Sequence, residues 1–232
     1  MTVIKICGLT TLEDARWAAR CGADLLGFIF VPSSPRYVTP DKVAEITGAL
    51  AAEGCTARFV GVFADEPAEA VRRIAAACAL HLVQLHGQES PPYVRSLGLP
   101  AIVARRVRGA ISWEELASFR PWAYLLDSYD PRRPGGTGHP WPWELLAEGG
   151  RRLGRVILAG GLRPENVGEA LRRARPWGVD VSSGVEASPG RKDPDKVARF
   201  IRQVREASES LPPAGSDAIR RSCPDGHATN GL

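Results

Sequence analysis

Two residues carry the makings of proton-transfer chemistry, Cys7 and Asp127. Each closes a short apolar run: Val3-Ile4-Lys5-Ile6 leads to the thiol, and Tyr124-Leu125-Leu126 leads to the carboxyl. A thiol titrates near pH ~8.5 when unperturbed, and lower beside positive charge or a helix N-terminus. As a thiolate it can take a proton from carbon. A carboxylic acid shielded from water can stay protonated long enough to donate its proton. Both residues also have plainer readings. A free cysteine is commonly a small buried hydrophobe, and an aspartate before a loop commonly caps a turn.

Four further segments could bind an anionic molecule. Arg36 follows Pro32 and Pro35, which stiffen its loop. Its guanidinium could grip a carboxylate through two hydrogen bonds, or it could be a surface arginine. His86, in Gln84-Leu85-His86-Gly87, could act as a base, as a donor to substrate, or as a satisfied structural histidine. Gly160-Gly161 and Ser182-Ser183-Gly184 each follow an apolar run. Glycine there would let backbone amides approach a phosphate that a Cβ would block, although turn glycines look the same. The glycine-rich Pro134–Gly138 stretch, within Pro131–Pro142, reads as a mobile lid or as a long connection.

These residues are far apart in sequence, so the intervening elements must gather them. Short apolar, β-branched runs recur at Val3–Ile6, Leu25–Val31, Phe59–Phe63, Leu82–Leu85, Ala101–Val107, Tyr124–Leu126, Val156–Leu158 and Val179–Val181. Stretches of helical periodicity separate them. One starts at Leu12 after Thr10 and Thr11 as N-caps, with Gly22 as its stop. Others are Pro67–Cys78 with Asp65 as cap, a short Trp113–Phe119, Pro164–Ala174 and Pro194–Glu206. Strands alternating with helices predict an α/β fold with a parallel sheet. Eight such units predict a single closed (β/α)8 TIM barrel over residues 1–210, which brings every strand's C-terminal end to one mouth. The rival is an open, doubly wound sheet. Its GxGxxG signal is absent: the first turn reads Cys7-Gly8-Leu9-Thr10. From residue 211 to 232 the composition shifts to Pro, Ser, Gly and Asp, and this tail reads as disordered.

The 232 residues are 44% apolar and 24% charged, as expected of a globular chain. The net charge of +4 is spread as pairs such as Arg72-Arg73 and Arg151-Arg152. That argues against nucleic-acid binding and suits a phosphorylated small-molecule substrate. The five cysteines are an odd number with no CxxC pair, so neither a disulfide framework nor a structural zinc site is expected. Cys223 and His227 in the tail do not amount to a metal site. The chain has no signal region and no apolar stretch of about 18 residues, so a reduced, cytoplasmic protein without a membrane span is expected.

In order along the chain, these segments resemble the phosphoribosylanthranilate isomerases of tryptophan biosynthesis. The resemblance rests on Lys5–Thr10, Phe28–Tyr37, Val83–Gly87, Leu126-Asp127 with Gly135–Gly138, Leu158–Leu162 with Pro164–Val167, Gly178–Glu186 and Pro189–Asp193. It spans about residues 2–205. It implies an Amadori rearrangement with Cys7 as general base and Asp127 as general acid. Arg36 would hold the anthranilate carboxylate, His86 would contact substrate, and Gly160, Gly161, Ser182, Ser183 and Gly184 would hold the phosphate. It also implies no metal or redox cofactor, and a monomer or a homodimer. The chain departs from the family pattern at Ile102–Arg106, which lacks a lysine, at Gly138-His139, and in the tail. Three rivals remain. A histidine-pathway isomerase would use paired aspartates, a pentulose-phosphate epimerase would need metal ligands, and a non-catalytic phosphate binder would have no need of Cys7 or Asp127.

Overall fold

Eight apolar runs become eight parallel strands: β1 (Val3–Cys7), β2 (Leu25–Ile29), β3 (Arg58–Phe63), β4 (Leu82–Leu85), β5 (Ala101–Arg106), β6 (Ala123–Asp127), β7 (Val156–Ala159) and β8 (Gly178–Val181). A computed structural model of the chain describes residues 1–107, 112–127 and 143–211. The expectations for the Pro131–Pro142 loop and for the tail beyond Leu211 lie outside the described residues. Each strand pairs with the next, and β8 closes on β1. The sheet is therefore a closed (β/α)8 barrel, and the open doubly wound sheet is excluded.

The outer ring is α1 (Leu12–Arg20), α2 (Pro40–Ala52), α3 (Ala68–Ala77), α4 (Pro91–Ser96), α5 (Trp113–Ala117), α6 (Trp143–Leu153), α7 (Val167–Ala174) and α8 (Pro194–Glu209). After β8 come one 3-10 turn, Ser183–Val185, and a small antiparallel ribbon of β9 (Glu186–Ser188) and β10 (Arg191–Lys192). The capping signals explain most helix starts. The Thr11 hydroxyl accepts the Asp14 N–H, and Thr39, Ser90 and Asp193 cap helices that open on proline.

Several boundaries differ from the sequence expectation. Asp65 does not cap α3, which starts without a side-chain cap. Its carboxylate instead takes the Gln88 N–H at 2.6 Å, a partner from the next βα unit. The chain from Arg163 forms a turn before α7 because the Asn166 Oδ1 accepts the Arg163 N–H at 2.8 Å. Strand β2 ends at Ile29 rather than Val31, α5 ends at Ala117, and α8 runs on to Glu209.

Strand side chains alternate between two cores. Leu25, Val60, Leu82, Ile102, Leu125 and Ile157 fill the lower barrel interior. Ile4, Ile6, Leu26, Phe28, Val83 and Leu126 have the opposite parity and meet the helices. Burying one such side chain is worth about 1.5–3 kcal/mol. Along the inward parity, the positions nearest the strands' C-terminal ends turn polar: Lys5 and Cys7 on β1, Gln84 on β4, Asp127 on β6 and Asp180 on β8. One alternation thus seals the bottom with hydrocarbon and equips the top.

Candidate active site

A cavity of about 420 Å³ opens at that top end. Its wall includes Cys7, Arg36, His86, Asp127, Gly160, Gly161, Ser182 and Ser183, eight of the nine site residues expected from sequence. The ninth, Gly184, lies behind the wall. A Cβ on it would overlap the Leu162 carbonyl oxygen, so glycine lets the turn after β8 pack against the loop after β7. Gly160 and Gly161 both have positive φ, 94° and 63°, a conformation glycine adopts without strain. Strand β5 adds nothing to the wall. Arg105 instead donates to the carbonyls of Gly87 and Glu89 at 3.3 and 2.8 Å, bracing the loop after His86.

Cys7 is 5% exposed. Burial pushes its thiol up, the neighbouring Lys5 ammonium pulls it back down, and Asp180 adds to the rise. Lys5 has no exposed surface and is ion-paired with the Asp180 Oδ1 at 2.7 Å. The pair follows from register, since Lys5 and Asp180 are direct neighbours across β1 and β8. Burial alone would lower the Lys5 ammonium, but Asp180 and Cys7 hold it up at about 12. Gly27 on β2 makes room: a Cβ there would lie 2.9 Å from the Cys7 Sγ and 3.1 Å from the Lys5 Nζ.

Asp127 stands three strands away around the barrel. The His86 Nε2 lies 3.9 Å from its Oδ2, too far for a direct hydrogen bond. That nitrogen is buried and, among the described residues, has no hydrogen-bond partner. Burial holds the imidazole below its ordinary value, with the Asp127 carboxylate opposing. The Gln84 Nε2 sits 3.3 Å from the His86 Nδ1. The two side chains meet at Nδ1 in a hydrogen bond whose direction the ring tautomer sets. His86 thus lies in the cavity wall beside Asp127 with its Nε2 unpartnered among the described residues. The Gln84 Oε1 and Ser182 Oγ are also buried without partners among the described residues, so the cavity offers unmatched polar atoms to a polar ligand.

Arg36 is not free on the surface. Its Nε and Nη2 donate to the two Glu186 carboxylate oxygens at 2.8 and 2.7 Å. This fork holds the guanidinium above its ordinary value, while Arg36 and Lys192 together hold Glu186 low despite its burial. The Lys192 Nζ reaches the same carboxylate at 3.0 Å. Arg36 lines the cavity with its Nε–Nη2 edge taken by Glu186. Sequence reading missed Lys5, Gln84, Gly27, Asp180, Glu186 and Lys192 as site residues. Inward parity could have flagged Lys5 and Gln84 as polar residues inside apolar strands. Nothing in the sequence pairs Glu186 with Arg36, 150 residues away.

Among the described residues, no group of three or more His, Cys, Asp and Glu is placed to hold a metal ion. A thiol and a carboxyl face one cavity, whose wall also carries a guanidinium and the glycine and serine residues of the loops after β7 and β8. Fold and site together define a (β/α)8-barrel isomerase. A family model described as N-(5'phosphoribosyl)anthranilate (PRA) isomerase matches residues 4–203. The N-(5'-phosphoribosyl)anthranilate isomerase of Citrifermentans bemidjiense is 48% identical over 206 residues, covering 89% of this chain and 98% of the relative. The crystal structure of phosphoribosyl anthranilate isomerase from Thermotoga maritima superposes with a TM-score of 0.82 at 38% identity, covering 89% of this chain and all of that one. A phosphoribosyl anthranilate isomerase in complex with reduced 1-(o-carboxyphenylamino)-1-deoxyribulose 5-phosphate superposes with a TM-score of 0.79 at 37% identity, covering 89% of this chain and 100% of that one. The chain belongs to the N-(5'-phosphoribosyl)anthranilate isomerase family.

Proposed function

We propose that the chain converts N-(5'-phosphoribosyl)anthranilate into 1-(2-carboxyphenylamino)-1-deoxyribulose 5-phosphate, an Amadori rearrangement in tryptophan biosynthesis, with Asp127 as acid and Cys7 as base. The observation that carries this reading is the shared cavity, with Cys7 and Asp127 on separate walls. Asp127 gives its proton to the ribose ring oxygen. The C1–O bond breaks, and the nitrogen lone pair forms a protonated Schiff base. The Cys7 thiolate then takes the C2 proton, and the C–H electrons flow toward nitrogen to leave an enolamine. Ketonisation releases the C2 hydroxyl proton and adds one to C1. The product is an isomer, and the atoms balance without a co-reactant.

In its Nε2-protonated tautomer, His86 would donate to the sugar oxygen that Asp127 protonates, since its Nε2 lies 3.9 Å from the Asp127 Oδ2. Arg36 lines the cavity with one edge fixed on Glu186, and its remaining N–H groups would pair with the anthranilate carboxylate. The amides around Gly160, Gly161, Ser182 and Ser183 would take the phosphate, with Gly184 holding their loops together. A relative from Thermotoga maritima is described as a dimeric phosphoribosylanthranilate isomerase from which monomers were generated, which supports a monomer or a homodimer here. Substrate and product are charged phosphosugars that do not cross a membrane unaided, which favours a cytoplasmic enzyme.

The test is turnover of freshly generated N-(5'-phosphoribosyl)anthranilate, followed as loss of anthranilate-type fluorescence. Enzyme-dependent loss is expected. A folded protein that leaves this substrate untouched and instead isomerises the histidine-pathway aminoaldose would overturn the substrate assignment.

A further inference from the structure

A base must lose its proton before it can act, and the burial of Cys7 opposes that loss. Something in the wall has to favour the thiolate. The charged groups facing Cys7 come from every element around it: Lys5 on β1, Asp180 on β8, Arg36 after β2, Glu186 on β9 and Lys192 on β10. His86 and Asp127 face the same cavity from β4 and β6. Arg36 and Lys192 share the Glu186 carboxylate, which screens both. Lys5 is placed differently. It is wholly buried, anchored at 2.7 Å by Asp180, and shares with the Cys7 sulfur the space that Gly27 leaves vacant.

We propose that Lys5 is the positioning residue that makes the thiolate of Cys7 available, its ammonium held charged and aimed by Asp180 inside the barrel. The proposal rests on the reading of Cys7 as base. An ammonium has three donors, so pairing with Asp180 leaves others for sulfur. An unpaired cation at this depth would cost several kcal/mol, so Asp180 keeps Lys5 charged where it would otherwise shed its proton. Lys5, Arg36 and Lys192 with the Asp180 and Glu186 carboxylates they pair with carry one net positive charge, which a thiolate at Cys7 balances. A purely structural plug would need no charge here, because an apolar side chain would fill the barrel interior as well.

The direct readout is the 13Cβ shift of Cys7, titrated in protein labelled at cysteine, which reports thiol against thiolate without turnover. In Lys5→Met the Cys7 inflection should move up by at least one pH unit, leaving about tenfold less thiolate at any pH below both inflections. The pH profile of kcat/KM should move the same way, and Lys5→Arg should restore the inflection toward wild type. An unmoved inflection in folded Lys5→Met overturns the proposal. If Lys5→Met does not fold by circular dichroism, the wild-type protein gives the test. The Lys5 13Cε shift should step at the Cys7 inflection, and the step should vanish in Cys7→Ser; absence of that step in the wild type overturns the proposal equally. If Cys7→Ser turned over at the wild-type rate, the base assignment would fall, whereas the Lys5–Cys7 titration would still be readable. The two failures are therefore separable.

Discussion

Cys7 sits where its thiol is hard to ionise and where its neighbours compensate. Replacing it by serine keeps the size and removes the accessible anion. Cys7→Ser should lower kcat by about 10²–10⁴-fold while product-analogue binding changes little; a kcat near wild type would remove Cys7 from the base role. Arg36→Ala should weaken binding of a carboxylate-bearing product analogue by about 1.5–3 kcal/mol, measured by calorimetry. The fold should survive, because Lys192 still pairs Glu186 at 3.0 Å. Unchanged affinity would place the carboxylate elsewhere. His86 gives a stability signature. Burial lowers its folded pKa below the ordinary 6.5, so an unfolded chain takes up a proton near 6.5 that the folded ring refuses. Stability should fall as pH drops below that value, and His86→Gln should flatten the slope of melting temperature against pH. The placement of Cys7, Asp127 and Arg36 at one cavity was legible in sequence because each ends or follows a strand. The Glu186 fork and the Lys5–Asp180 pair were not, because they join opposite ends of the chain and only barrel closure brings them together.

At the scale of elements, the parity of each strand decides what faces the cavity. Val3, Lys5 and Cys7 share one face of β1, while Ile4 and Ile6 share the other. The hydrophobic runs located all eight strands because strands of a parallel barrel are buried on both faces and read as continuous apolar stretches. Helix starts were less legible where the cap's preferred partner came from elsewhere. Asp65 looked like a cap for α3, but its carboxylate is engaged by the Gln88 N–H. The turn after β8 tests this level. Gly184→Ala would drive a methyl into the Leu162 carbonyl, which only a backbone shift relieves. The expected cost is about 1–3 kcal/mol of stability, with weaker phosphate affinity than wild type in the same calorimetric assay. Unchanged melting and phosphate affinity would mean the two loops are not braced against each other.

At the scale of the molecule, α8 closes the barrel on its first strand. Arg205 donates to the carbonyls of Thr2 and Gly22, each at 2.9 Å, and to the Asp24 carboxylate at 3.0 Å. Leu211 still packs on the main core. We propose that the folding unit ends there, consistent with a family match that ends at residue 203. A chain stopped after Leu211 should melt within about 1 °C of the full chain and turn over at the same rate, whereas one stopped before Arg205 should lose several degrees. A large loss from the first truncation would give residues 212–232 a part in the barrel. The proposed reaction is met most directly by fluorescence-monitored turnover of N-(5'-phosphoribosyl)anthranilate by wild type and by Asp127→Asn. Rapid loss with wild type and a rate lower by at least about a hundredfold in the folded variant is the predicted result. Equal rates in the two proteins would contradict the proposed role of Asp127, since the ring would then open without that carboxyl as acid.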